Sequence, residues 1–468
     1  MTRMTHRIAA ARATRRNVLR GAAGFGAATL VGASSAGFSP AAARQDSVLR
    51  YWLPGGSPLF CETHGAILNA FVETRQGVTA EEVQCGTAES DDFIQVLLGA
   101  IAAKNPPDVT ILWDTPVSLG VRGALEPLNE RMAASQYSQL ENWPAGLLSS
   151  TQFGGETWGL PVTAGVFTFW YNPQLLDDKG IPSAADKLPA TWDEWRKLSA
   201  DFVEWDGDTL VKAGFLPFGY DYDPSTMPIW SALNGGQLFD PAAVAYTIDS
   251  DQNVEMMDFM VAWLDEQYKG DIAAVQASAG WNGYANGDGL PPAFQDGLQL
   301  AMENGTWLMG DYMGEGEPAF VDWELAAYPG GPSGKPGFAG TWPNWMALPK
   351  GSANPDLGFA FMDYMGGEGV KQWFAAVPDV PTNTTVPPAN PQVLVDYRGE
   401  EFATRTMEFI RSQANISAPM WNSPVQNFAA DQLRRALEQM MTKAATPKDA
   451  LAEAQAACQA ELEKALAG

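Results

Sequence analysis

Beyond residue 43 the apolar positions alternate between two periods. Val48 to Leu53 and Val78 to Cys85 carry the β-branched and aromatic residues of short strands, and Asp108 to Trp113 reads as a buried strand. Between them, Glu62 to Arg75 places Ile67, Ala70 and Phe71 on one helical face. A helix opening at Ser90 repeats the device with Phe93, Val96, Leu97 and Ile101, and Asp91 and Asp92 fall in its first turn, where the helix dipole favours negative charge. Strand, helix, strand, helix, strand predicts a doubly wound α/β unit with a mostly parallel sheet.

A second unit opens after Leu160-Pro161. Val166 to Tyr171 is strand-like until Asn172-Pro173 breaks it, and Thr191-Trp192-Asp193-Glu194 has the capping-box spacing that starts a helix reaching about Phe202. Gly235-Gly236 marks a turn. Asp251 to Gln267 reads as an amphipathic helix with Met256, Phe259, Met260 and Trp263 inward. Pro329 to Gly340 is Gly/Pro-rich and suits a linker or crossover, and Thr446-Pro447 caps a last helix with Pro in its first turn. The helical spacing assigns Trp192, Trp195, Trp263 and Trp373 to core packing.

Residues 1–43 follow a different pattern. Thr14-Arg15-Arg16-Asn17-Val18-Leu19 is a twin-arginine core, Gly21 to Ala36 is apolar and Gly/Ala-rich, and Pro40-Ala41-Ala42-Ala43 supplies small residues for cleavage. A permanent membrane helix needs ~20 strongly apolar residues, more than this stretch provides. The expected product is a periplasmic or otherwise extracytoplasmic protein, exported by the twin-arginine pathway, with no Cys at the cut for a lipid anchor. Losing the leader removes six Arg and no acidic residue, so the formal charge moves from -26 to -32. Such a balance repels nucleic acid and anionic lipid heads. At 468 residues the chain exceeds what one core usually serves, which predicts at least two lobes.

Cys61, Cys85 and Cys458 are an odd set. A disulfide between Cys61 and Cys85 is one reading, and three reduced buried thiols is the other. His64 is the only imidazole after the leader, so a two-histidine metal site is excluded and a Ser-His-Asp triad disfavoured. Neither metal nor other cofactor is expected.

Several segments, in order and spacing, resemble a known family. They are Tyr171-Asn172-Pro173 with Leu175, Thr191-Trp192-Asp193-Glu194, Phe294-Gln295-Asp296-Gly297 through Ala301-Met302 to Asn304-Gly305-Thr306-Trp307, Gly340-Thr341-Trp342 to Pro349-Lys350, and Ala360-Phe361 to Gly369-Val370. The chain resembles the extracellular solute-binding proteins of ABC importers, in the branch that delivers sugars and oligosaccharides. The resemblance implies two doubly wound α/β lobes joined by hinge crossovers, the type II periplasmic binding protein arrangement. Crossovers near Thr163, Gly337 and Pro381 would divide the chain into 44–162 plus 338–381 and 163–337 plus 382–468. It further implies a non-enzymatic monomer that closes on a sugar and presents it to the ABC permease membrane subunits.

All seventeen Trp lie after the leader. Indole offers a flat apolar face and one N–H donor, which suits a sugar ring and its hydroxyls. Trp113, at a strand's carboxyl edge, Trp307 and Trp421 occupy positions similar to those where maltodextrin-binding members stack Trp on sugar. Trp230, Trp281, Trp342 and Trp345 are further candidate rings, with Asp114, Asn282 and Asp311 as candidate hydroxyl partners. Gly55, Gly56 and Ser57 are candidates for close backbone approach. Two rival readings use the same features. Rings and Asp residues could hold a cationic amine, and carboxylate pairs such as Glu315 with Glu317 or Asp221 with Asp223 could serve a secreted glycoside hydrolase. Asn286-Gly287-Asp288-Gly289 lacks the downstream bidentate Glu of a calcium loop and reads as a turn.

Overall fold

The computed structural model describes residues 47–55, 58–81, 83–86, 90–218, 224–270, 272–278, 292–309, 323–337, 340–377, 379–387, 389–414 and 423–467; the expected export leader lies outside them. Strands β1 (Ser47–Leu49), β2 (Tyr51–Leu53), β3 (Val78–Ala80), β4 (Gln84–Cys85) and β5 (Val109–Leu112) pair in parallel, β1 with β3 and β2 with both β4 and β5. The run expected as one strand from Val48 to Leu53 is two, broken at Arg50. That residue's backbone N–H donates to the Asp108 carboxylate at 3.0 Å while its carbonyl accepts from the Asp108 N–H, and the flanking triplets then take different partners. Val78 to Cys85 divides in the same way into β3 and β4.

Helices Pro58–Glu73 and Ser90–Ala102 pack between these strands, with Ile67, Phe71 and Leu97 wholly buried. Val96, expected inward, is 57 % exposed. The buried stripe is Phe93, Ile94 and Leu97, because at about 100° per residue Val96 falls off the face that those three define.

A hairpin of β6 (Gln152–Phe153) and β7 (Glu156–Thr157) precedes β8 (Leu160–Tyr171), a strand of 12 residues, all of them buried. The strand expected from Val166 therefore begins at Leu160. Its partners explain the length. Leu160 to Val166 pair with β15 (Thr341–Ala347), Thr163 and Ala164 also pair with β16 (Val380–Pro381), and Phe167 to Tyr171 pair with β13 (Gln299–Gly305). Strand β14 (Glu324–Ala326) joins β8 over the same second half, β10 (Thr209–Phe215) runs parallel to β13, and β9 (Glu204–Asp206) closes the edge. A separate hairpin holds β11 (Phe239–Asp240) and β12 (Ala245–Tyr246). The main order is β4-β2-β5-β15-β8-β13-β10-β9, a mixed sheet whose parallel part lies at the N-terminal strands and at β10 with β13.

The core changes partners where β8 does. Leu160 and Val162 pack with Met346, Tyr51, Ile67 and Phe361, whereas Phe167, Phe169 and Tyr171 pack with Trp192, Trp195, Phe215 and Trp263. Ala164, Val166 and Trp170 join a third cluster with Phe294, Trp323 and Met407. Two α/β halves thus share one strand.

Local signals were realised closely. Thr191 caps helix Trp192–Ala200 by accepting from the Glu194 N–H, and the Glu194 carboxylate accepts from the Ala190 N–H. The helix stops short of Phe202. Helix Asp251–Gln267 has the expected bounds, with Met256, Met260 and Trp263 buried and Phe259 half-buried. Thr446 caps helix Pro447–Leu466 through the Asp449 N–H. Trp192, Trp195, Trp263 and Trp373 are core residues, each no more than 1 % exposed.

Cys61 and Cys85 form a disulfide with Cα atoms 5.9 Å apart, so of the two readings of the cysteines the bridged one holds. Cys458 is a buried free thiol, and burial pushes its pKa up to about 12. Among the described residues no helix is long and apolar enough to cross a membrane, and no group of three His, Cys, Asp or Glu could hold a metal ion.

Candidate binding site at the crossover strands

Residues two apart on a strand share a face, and Thr163, Gly165 and Phe167 form such a row on β8. Each organises an aromatic ring. Opposite them β15 carries Trp342 against Gly165, Asn344 against Thr163 and Trp345 against Pro161. Trp342 and Asn344, two apart on β15, share the face of Gly165 and Thr163, whereas Trp345 alternates to the other side and packs with Leu112 and Ala347; the register shift there passes over Val162 of β8.

Trp113, half-buried at the end of β5, donates its Nε1–H to Asn344 Oδ1 at 3.1 Å, and Asn344 Nδ2 donates to Thr163 Oγ1 at 2.8 Å. Phe60 meets the Trp113 ring edge-on, with centroids 5.8 Å apart. Trp307 follows β13. Its approach is set by Thr306, whose N–H donates to the Val166 carbonyl and whose Oγ1 accepts from the Val166 N–H, both at 3.0 Å. The half-buried Trp307 indole stands perpendicular to Phe167 at 4.9 Å, and it covers the backbones of Gly165 and Gly305, where no side chain intervenes. Trp342, also half-buried, lies 6.2 Å from Phe167 and 6.4 Å from Trp345. Rings from three separate segments therefore gather on one face of the strand that the two halves share.

Among the described residues no Lys or Arg lies over Trp113, Phe167, Trp307 or Trp342. The polar groups of that face include Thr163 and Asn344, and the Glu303 carboxylate lies further along on β13, opposite Phe169. Behind Phe60, His64 is buried between Phe60 and Trp373, at 4.6 and 4.7 Å. Its Nδ1 shares a 2.9 Å hydrogen bond with the Tyr51 hydroxyl, and desolvation lowers its pKa to about 3, so it is neutral there. Asp114 is half-buried next to Trp113 in the chain.

Two candidate rings are enclosed instead. Trp230 is 0 % exposed because its helix, Met227–Leu233, turns it into the core against Phe169, Phe215 and Tyr328. Its Nε1 donates to the Glu303 carboxylate at 2.8 Å, which also accepts from Thr226 and Tyr328. Trp345 is 1 % exposed and donates to Ser150 Oγ at 2.9 Å. Both have their ring faces in packing. Gly55 is buried, while Gly56, Ser57, Trp281, Asn282, Asp311, Trp421, both carboxylate pairs and the turn at 286–289 lie outside the described residues. Sequence reading passed over Thr163, Gly165, Phe167 and Asn344. The available signal was the small-residue, every-second-position pattern at the start of β8, next to a segment already expected to be a crossover.

Comparison with known proteins agrees with this architecture. Residues 66–396 match the family described as Bacterial extracellular solute-binding protein. An arabinooligosaccharide-binding protein of Halalkalibacterium halodurans is 24 % identical over 159 residues, which is 34 % of this chain and 32 % of that protein, so the match spans about a third of the relative's length. Among solved structures, CpMnBP1 with mannotriose bound superposes with a TM-score of 0.71 at 19 % identity, covering 88 % of this chain and 99 % of that one. The GacH receptor of Streptomyces glaucescens, solved unliganded and with acarbose, gives 0.68 at 20 % identity over 89 % and 99 % of the two chains. The cyclic alpha-maltosyl-1,6-maltose binding protein of Arthrobacter globiformis gives 0.67 at 18 % identity over 89 % and 100 %. The fold is the two-lobed type II arrangement of these binding proteins.

Proposed function

The chain belongs to the bacterial extracellular solute-binding proteins, and from that premise we propose that it is the substrate-binding component of an ABC importer, taking a neutral mono- or oligosaccharide between its two lobes. One observation carries the choice of ligand. The face of β8 built by Thr163, Gly165 and Phe167 gathers Trp113, Trp307 and Trp342, with no cationic side chain over them among the described residues. Indole faces cover the apolar faces of pyranose rings, and Asn and Thr groups suit uncharged hydroxyls. A relative over about a third of its length is an arabinooligosaccharide-binding protein, and proteins of similar structure were solved with mannotriose and acarbose, which is in keeping with that class.

In this reading lobe I is 44–162 plus 338–381 and lobe II is 163–337 plus 382–468, with the crossovers where β8, β15 and β16 lie side by side. Residues 1–43 direct twin-arginine export, the chain works as a monomer, and the solute leaves unaltered for the permease. Trp421, Trp281, Asn282, Asp114 and Asp311 remain proposed contacts beside the three rings above. Thermal unfolding of residues 44–468 against a panel of saccharides, amines and amino acids tests the class, since a ligand that binds only the native state raises its melting temperature. A saccharide should give the shift and be recovered intact. Stabilisation by amines alone, or hydrolysis of the sugar, would replace the proposal.

A further inference from the structure

We infer that Asn344 is a positioning residue that ties the orientation of Trp113 to the geometry of the crossover, so that a ligand seated on that indole biases the angle between the halves. The inference rests on the proposed capture of a saccharide between the lobes.

Thr163 is where the shared strand changes hands. Leu160 and Val162 before it pack into the first core, Phe167 and Phe169 beyond it pack into the second, and Pro381 of β16 pairs with Thr163 itself. A change in lobe angle must be absorbed by a few residues at such a junction. Trp113 belongs to the first half, on the segment leaving β5, and has no direct bond to β8 in the hydrogen-bond network.

Asn344 bridges the two. An indole N–H can only donate, so the amide oxygen must face Trp113, which leaves the NH2 group for Thr163 Oγ1. Both ends of the amide are engaged at once. The residue also sits at the register shift between β15 and β8, where Val162, next to Thr163, is passed over and the shared strand departs from the regular ladder. On the β16 side, Thr382 Oγ1 donates to the Pro161 carbonyl, which holds the third crossover against the same stretch. Rotation about the junction therefore moves Thr163 Oγ1, and the amide transmits that movement to the Trp113 ring. The coupling is reciprocal by thermodynamic necessity.

Thr163→Val tests this away from the ligand, because it deletes the hydroxyl while nearly conserving shape, and Thr163→Ser retains the hydroxyl as the rescue. Mannotriose, maltotriose and arabinotriose serve as probes, with affinity read by calorimetry, compaction by small-angle scattering with and without saturating sugar, and melting temperature as the fold control. Wild type should compact. Thr163→Val should fold, bind about tenfold more weakly and compact only in part, and Thr163→Ser should behave as wild type. Combined with Trp113→Ala, the valine should add no further loss. If wild type compacts while Thr163→Val keeps full affinity and compaction, or its effect adds to that of Trp113→Ala, the coupling is overturned and the proposed function stands. A wild-type chain that neither binds nor compacts with any of these sugars overturns both.

Discussion

The indole of Trp307 lies against the bare Cα of Gly165, so closely that a methyl built on the glycine would stand 2.3 Å from Cε3 of the ring. Gly165 has no left-handed backbone to demand glycine. Space is the constraint. Gly165→Ala should displace the ring at a cost of about 1–3 kcal/mol, as overpacking usually does. The expected result is a lower melting temperature together with weaker saccharide binding, and in a Trp307→Ala background the affinity component should vanish. Equal affinity for Gly165→Ala and wild type would show that the ring position does not matter to binding.

Trp307 and Trp230 should separate binding from stability. Trp307→Ala and Trp113→Ala each remove a half-buried face and are expected to weaken the sugar complex by about 0.5–1.5 kcal/mol, the value of a good aromatic contact. Trp230→Ala opens a cavity in the core and is expected to cost about 3–5 kcal/mol of folding stability. Calorimetric titration beside urea denaturation distinguishes the two patterns.

His64 supplies a pH dependence with a definite sign. The folded chain holds this imidazole neutral, with its pKa lowered from 6.5 to about 3, so between those values the unfolded chain binds more protons. Stability contributed by the neutral ring is present above pH 6.5, falls as pH drops through the window, and is lost below about 3. His64→Asn retains an acceptor for the Tyr51 hydroxyl without a titrating ring. The wild-type curve of unfolding free energy against pH should therefore fall more steeply than the variant's between pH 6.5 and 3, and parallel curves would refute the assignment.

The disulfide joins the helix Pro58–Glu73 to β4 across a sequence separation of 24. Closing a loop of that size is worth about 3 kcal/mol on a chain-entropy account. Replacing Cys61 and Cys85 by Ala should lower the denaturant midpoint accordingly. Cys458, buried and with its thiol pKa pushed up, should resist alkylation in the native protein and react only when the chain unfolds. Mass spectrometry of iodoacetamide-treated protein checks both statements.

What could be read from the chain tracks how far apart the interacting groups are. The caps at Thr191 and Thr446 and the helix Asp251–Gln267 were legible because their hydrogen bonds and periodic faces close within a few residues. The break at Arg50 was not, since its partner Asp108 lies 58 residues away. Trp230 shows the same limit within the candidate site. Its local context resembles that of an accessible ring, and only Phe169, Phe215 and Tyr328, brought in from three other segments, enclose it.

The sequence by itself determined the α/β alternation, the helix starts, the acidic balance and a set of candidate indoles, all of which follow from neighbours along the chain. Tertiary structure alone decided which indoles meet, that β8 serves both halves, and that Asn344 spans Trp113 and Thr163. The Asn344 to Thr163 hydrogen bond joins residues 181 apart and the one to Trp113 joins residues 231 apart. Contacts at such separations leave no periodic trace, because they depend on how whole strands register against one another.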